Sequence, residues 1–305
     1  MMSSDSEDFE EEGWTSQDRY QFSEEEIGNS PSRTVGITEE SENRRRIEAA
    51  MFIKHVGNHF LPKNTDFINA VCCNARWLWE QVYMRCNLAE LDRYDAAIAC
   101  FSLSAKAYDH LVKPRYLVEY WGKSKFPGVE FNKEMTAKMT NLLGIYEQLV
   151  ASCVSLMLQP ALPLPRVIMQ KSNDYLGLGD DVIQLAHRIS CDLMMFFDWS
   201  RRYDADVMAG VALYSSMTYH NVSMSPDEDG KSWIQKSRLK GDLKESDLKE
   251  YATNMVSTYR KRVPGVTFQY AVEILLGSLF PEFLDLVEKS MEPMKEENNN
   301  VVFNE

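Results

Sequence analysis

From Glu42 onward the chain alternates apolar and polar residues at helical rather than strand spacing. Ala49, Ile53, Val56 and Phe60 recur at i, i+4, i+7 and i+11, the apolar stripe of a surface helix, and Pro62 predicts its end. Ile68, Val71, Cys72, Ala75, Leu78, Trp79, Val82, Tyr83 and Cys86 form a second, longer stripe. Arg93–Tyr108 has so few polar positions that it predicts a central helix. Pro114 to Lys123 predicts a fourth helix. Met135–Leu158 predicts a fifth, with Leu142, Tyr146, Leu149, Val150, Cys153 and Leu156 turned inward. Pro160, Pro163 and Pro165 then interrupt the pattern, and prolines so close together mark a link rather than a helix. A second helical set follows over Val167–Leu176, Asp181–Trp199, Ala205–Tyr219, Ser246–Val263 and Phe268–Lys289, with a polar loop at Asp227–Ser232. No segment shows convincing period-2 alternation, so the expected class is all-α.

The two central helices share a sequence. Arg93-Tyr94-Asp95-Ala96 and Arg202-Tyr203-Asp204-Ala205 open similar small apolar runs, 109 residues apart. That spacing exceeds the 20–50 residues of solenoid repeats and suggests one helical domain occurring twice. With one extra residue at Asp206, Ala97-Ile98-Ala99-Cys100 lies over Val207-Met208-Ala209-Gly210. The expected divisions are an acidic, mostly disordered tail over 1–41, a first domain over 42–159, a second over 160–290 and a disordered tail over 291–305. Within the first of these, Tyr20 to Arg33 predicts a short docking helix (near 20–30), with Ser23 and Glu26 at capping-box spacing.

Charge sharpens this picture. The net charge is −13, of which −9 lies in residues 1–26, so the remaining 279 residues carry only −4. A near-neutral body argues against a dedicated nucleic-acid binder. The acidic start resembles no secretory signal and no long uncharged apolar run occurs, so neither export nor a membrane span is expected. The six cysteines lie in apolar helical settings without a C-x-x-C pair and read as reduced, buried thiols of an intracellular protein.

Several constellations suggest chemistry without completing it. His55 and His59 have zinc-ligand spacing but no third ligand. Gly177-Leu178-Gly179 lacks the third glycine and preceding strand of a nucleotide loop. Asp180-Asp181 lacks a third aspartate at metal-binding spacing. Trp77, Trp79 and Tyr83 read as core. The runs Arg44-Arg45-Arg46 and Arg260-Lys261-Arg262 read first as solvated charge and second as nuclear-import signals. No nucleophile–base set is visible, so an enzyme is not expected, and no cofactor or metal is implied.

Tandem five-helix domains with matching third helices resemble the cyclin fold, and particular residues narrow the resemblance to the cyclin T family. Asn29-Ser30-Pro31-Ser32-Arg33, between Phe22 and Gly36, resembles that family's N-terminal signature. Arg45 through Gly57 resembles its first helix. Ala97 to Lys106 resembles the apolar helix that ends in the cyclin-box lysine. Tyr146-Glu147 with Leu149 to Leu158 resembles the helix that carries the cyclin-box glutamate, and Asp229-Gly230-Lys231-Ser232-Trp233 resembles an element of the second box. The sequence departs from the family in several places: Lys106-Ala107-Tyr108-Asp109 replaces Lys-Val-Glu-Glu, Leu156 replaces an aromatic residue, the link near Pro160 is longer, the second box is shorter before Tyr203, and no long His-, Ser- or Pro-rich tail follows.

The resemblance implies two tandem cyclin boxes with an N-terminal docking helix. It implies a non-catalytic nuclear subunit that activates a transcriptional cyclin-dependent kinase, as in positive transcription elongation factor b. RNA polymerase II would be reached indirectly through its C-terminal domain, with no direct DNA or membrane contact. It implies kinase contacts at Lys106 and Glu147, with Tyr108, Asp109 and Leu156 beside them. The residues alone leave Lys106 open as the polar end of a helix and Glu147 as a surface residue. Two alternatives remain: a cyclin-fold adaptor that binds without activating, and a cyclin-fold general transcription factor.

Overall fold

The computed structural model describes residues 20–158, 165–223, 225, 226, 228, 230–239 and 243–262, with the backbone alone at 166 and 256–262. Among these residues there is no strand; the regular structure is helical throughout. Two short helices, α1 (Glu24–Gly28) and α2 (Pro31–Thr34), precede α3 (Glu39–Phe60), α4 (Thr65–Tyr83), α5 (Arg93–Ala107), α6 (Pro114–Lys125) and α7 (Lys133–Cys153). After the link come α8 (Pro165–Leu176), α9 (Asp180–Phe196), α10 (Trp199–Arg202), α11 (Ala205–Tyr219), α12 (Trp233–Ser237) and α13 (Glu245–Arg262). Helices α3, α4, α6 and α7 pack around α5, and α8, α9 and α13 pack around α11. The expectations for residues 1–19, for a helix over Phe268–Lys289 and for the tail after 290 lie outside the described residues, as does the division at 159/160.

The docking segment is two helices rather than one. Ser23 caps α1 reciprocally with Glu26, and Asn29 ends it. Pro31 starts α2 at a position where its missing N–H costs nothing. The Asn29–Arg33 motif is an anchor. Buried Ser30 donates to Glu42 Oε1 (3.0 Å), buried Ser32 accepts from the Leu88 N–H (3.0 Å), and Arg33 Nε donates to Glu42 Oε2 (2.9 Å). Gly36 then turns the chain at φ +89°, a left-handed conformation that glycine adopts without a Cβ penalty. Upstream, the Tyr20 hydroxyl donates to Val154 O, Gln81 donates to Tyr20 O, and the Phe22 N–H donates to Arg201 O. The segment therefore straps both halves of the molecule.

Helix α4 is buried on every side from Val71 to Tyr83, polar residues included. The apolar stripe alone predicts one buried face, but α4 meets α5 on one side and α9 and α10 on the other. Two of its polar residues, Arg76 and Glu80, join a charge network that reaches the second half. Glu80 forms ion pairs with Arg46 and Arg76 and lies 3.9 Å from Arg201 Nε. Arg46 pairs with Glu42 at 2.6 Å, and Arg201 pairs with Asp198 at 3.2 Å. Arg76 also donates to Met195 O across the junction (2.9 Å). Buried charges persist only when paired this closely. Burial opposes ionisation of Glu42, but Arg46, Arg33 and Ser30 outweigh it and hold the carboxyl at about 2. The solvated reading of Arg44-Arg45-Arg46 is thus corrected: Arg44 is exposed, Arg45 reaches Leu88 O, and Arg46 is buried in this network.

The repeat is real in space but not in the register that the shared tetrapeptide suggests. Asp92 caps α5, whereas Asp204, inside the second tetrapeptide, caps α11. Equivalent positions therefore lie 112 residues apart. In that register Ser104 donates to Val71 O of the preceding helix (2.7 Å), and Ser216 donates to Val182 O (2.6 Å). The N–H groups of His110 and Val222 close the same 6→1 bond on Ala105 and Met217, and Asp109 and Asn221 turn left-handed at φ 56° and 52°. Capping chemistry sets where each helix starts, so an aspartate's position outranks a matched string.

Two further elements end early. Helix α7 stops at Cys153, because Ser155 and Leu156 are left-handed (φ 49° and 65°). Leu156 consequently points outward, and Leu149, within α7, lies on its exposed side; Leu143, Val150 and Val154 fill the core instead. The expected Asp181–Trp199 helix breaks at extended Phe197, giving α9 and α10, and the break presents Asp198 to Arg201 and Arg202.

Candidate docking site at the ends of α5 and α7

Lys106, on the last turn of α5, donates to both carboxylate oxygens of Glu147 on α7, each at 2.7 Å. The two residues are 41 apart in sequence, and tertiary packing alone joins them. The lysine side chain is 35% exposed and the glutamate 17%, so the pair sits at a half-wet rim.

Polar anchors hold α7 in place. Asp95, on the first turn of α5, accepts from Trp121 Nε1 (3.0 Å), Lys125 Nζ (2.5 Å) and the Tyr146 hydroxyl (3.1 Å). Asp95 and Lys106 lie about 16 Å apart along α5 at 1.5 Å per residue, yet they grip adjacent residues of α7. Helix α7 therefore crosses α5 steeply, with Tyr146 reaching toward one end and Glu147 toward the other. Burial and then the Asp95 carboxylate push the Tyr146 hydroxyl up to about 12.

A second anchor brings the exit of α7 to the same rim. Asn74 Nδ2 donates to Ser104 Oγ (3.0 Å), two residues before Lys106, and to Leu158 O (2.9 Å). Of the expected contact residues, Lys106 and Glu147 pair directly. Tyr108 caps α5 and is half-buried, its ring 6.4 Å from that of Phe67. Asp109 is exposed in the left-handed turn, and Leu156 stands 77% exposed beyond α7. Leu111, 73% exposed just past α5, adds an apolar surface that the sequence reading missed. Its only signal is one leucine in the polar stretch after the helix stop. Ile145 and Leu149 are also exposed, but at 100° per residue they lie on the other edge of α7 from Glu147.

The rival constellations resolve as structure. His59 stacks with Phe60 and Tyr120, and among the described residues no group of three His, Cys, Asp or Glu is placed to hold a metal ion. Gly177 ends α8 at φ 63°, and Asp180-Asp181 form the first turn of α9. Trp77, Trp79 and Tyr83 are core. Arg260–Arg262 continue α13. Ser232 and Gln235 form a capping box that starts α12, whose Trp233 is buried; Asp229 lies outside the described residues. Among the described residues no helix is long and apolar enough to cross a membrane.

No family model matches the sequence. Among curated proteins, the chain is 24% identical over 206 residues to Cyclin-T1.2 of Caenorhabditis elegans, covering 65% of this chain and 36% of that one. It is 22% identical over 218 residues to Cyclin-T1 of Mus musculus, covering 70% and 29%. The chain thus spans about a third of the length of these relatives. Among solved structures, a chain of the yeast RNA Pol II CTD kinase CTDK-1 complex superposes with TM-score 0.64, at 13% identity, covering 84% of this chain and 81% of that one. Sequence similarity and helical architecture agree: the chain resembles cyclin T proteins in sequence and has an all-α cyclin-box fold.

Proposed function

We propose that the chain is the regulatory subunit of a transcriptional cyclin-dependent kinase, docking through the α5–α7 rim. The observation that carries this reading is the Lys106–Glu147 pair, which joins the ends of α5 and α7 and is partly exposed. An ammonium has three donors and a carboxylate about four acceptor sites, so each partner retains capacity for a second molecule. Docking against a kinase's movable helix would favour the arrangement in which the kinase's own Lys–Glu pair forms around ATP. The cyclin does no chemistry itself. The proposed substrate is the C-terminal domain of RNA polymerase II, in line with the name of the structural neighbour, and the proposed location is the nucleus.

The test is capture of a transcriptional kinase by the chain in a pull-down. Glu147→Lys is expected to reduce capture to background while circular dichroism stays helical. The double swap Lys106→Glu/Glu147→Lys restores the internal attraction and reverses the outward field, and it is expected not to rescue capture. Rescue by the swap, or undiminished capture by the single variant, would reduce the pair to a structural one. A second reading, an adaptor that binds without activating, is favoured by the stop after Ala107, which puts Asp109 in a left-handed turn rather than on helix. Kinase turnover with and without the chain separates the two.

A further inference from the structure

Two cysteines remote in sequence meet where the N-terminal strap crosses the first half. Cys86 follows α4 and Cys153 ends α7; they are 67 residues apart, with their sulfurs 4.0 Å apart. Both, like Cys191, are half-buried rather than fully buried, which corrects the expectation of six buried thiols. Gln81 and Val154, their near neighbours in sequence, both hold Tyr20.

We propose that Cys86 and Cys153 form a peroxide-responsive dithiol, a modification site that reversibly staples the end of α7 to the chain leaving α4. The contact is close enough that a bond of about 2.05 Å needs only about 2 Å of movement shared by two side chains. Cys86 is the attacking thiol. Contact with Cys153, helped by Arg85, outweighs burial and Glu90 and holds the Cys86 thiol below its ordinary value, while the same contact and burial raise Cys153. Elsewhere the shift is upward: burial raises Cys72 to about 12 and raises Cys100, while contact with Cys191 and burial raise Cys73. The thiolate is the reactive form, so Cys86 reacts first.

In the first step the Cys86 thiolate attacks the distal oxygen of a hydroperoxide. The O–O bond breaks, Cys86 becomes a sulfenic acid, and the alkoxide or hydroxide leaves and takes a proton. The Cys153 sulfur then attacks the sulfenic sulfur. The S–S bond forms, the S–O bond breaks, and hydroxide leaves with the Cys153 proton as water. Two thiols are oxidised by two electrons and one hydroperoxide is reduced. A dithiol restores the reduced pair by exchange.

The experiment treats the full chain with stoichiometric hydrogen peroxide, blocks free thiols and maps disulfide-linked peptides by mass spectrometry. The Cys86–Cys153 link is expected to form about ten-fold faster than any other thiol pair reacts and to vanish on reduction with dithiothreitol. Cys153→Ser is expected to leave Cys86 as a sulfenic acid that dimedone traps; Cys86→Ser is expected to give neither link nor adduct. A first link between Cys73 and Cys191, or Cys86 consumed no faster than Cys100 in the unmutated chain, would overturn the proposal.

Discussion

Helices α5 and α11 are each 15 residues long, each starts on an aspartate cap and each stops on a left-handed residue. Each sends one serine hydroxyl to a carbonyl of an earlier helix, α4 for α5 and α9 for α11. They differ in what else they offer. On α5, Asp95 gathers Trp121, Lys125 and Tyr146, and Lys106 meets Glu147. On α11 the equivalent positions are Val207 and Thr218, and Thr218 bonds back to its own helix at Tyr214 O. Features present in both halves are those a buried central helix needs. Features present in one half orient α7 and hold a charged pair at the rim, and no packing requirement asks for them.

The largest effect should come from Asp95→Ala, which strips three donors of their shared acceptor. About 3 kcal/mol of stability is expected to go, read as the shift of a urea unfolding midpoint, against about 1 kcal/mol for Val207→Ala. Equal losses would mean that α5 and α11 are anchored alike.

Acidification tests the buried charge network. The folded-state Glu42 carboxyl is depressed from 4.5 to about 2. Its contribution is therefore fully present above about pH 4.5 and is lost as pH falls toward 2, on the order of 3 kcal/mol. Glu42→Gln should flatten the stability curve in that window. A flat curve for the unmutated chain would show Glu42 unpaired in solution.

Ser104→Ala and Ser216→Ala should each cost about 1 kcal/mol, with Ser104 the larger because it also accepts from Asn74. A difference well beyond about 1 kcal/mol would break the structural equivalence of the two serines. The smallest effect on stability is expected from Lys106→Ala, under about 1 kcal/mol for a partly exposed pair. A larger loss in the same unfolding measurement would make the pair a structural element rather than a docking one.

Helix positions were legible because burying one face leaves a 3.6-residue period, and the Ser23–Glu26 cap was legible because its partners are three residues apart. The register of the repeat was not, because a shared Arg-Tyr-Asp-Ala string carries no information about which aspartate becomes the cap. Nor was the outward turn of Leu156. Periodicity extends a helix through Ser155, and only the packed chain shows the left-handed stop. Lys106 and Glu147 were each nameable through a resemblance, but nothing in either helix announces the other.

By itself the sequence determined an all-helical chain with a proline-rich link and the local chemistry of its caps, since those depend on residues within one or two turns of each other. Tertiary structure alone decided that α4 is buried on all sides, that Arg46, Arg76 and Arg201 converge on Glu80, and that α7 crosses α5 so that a lysine finds its glutamate. Those outcomes depend on how helices distant in sequence cross, and crossing geometry is set by the shapes of whole packed faces rather than by any local string of residues.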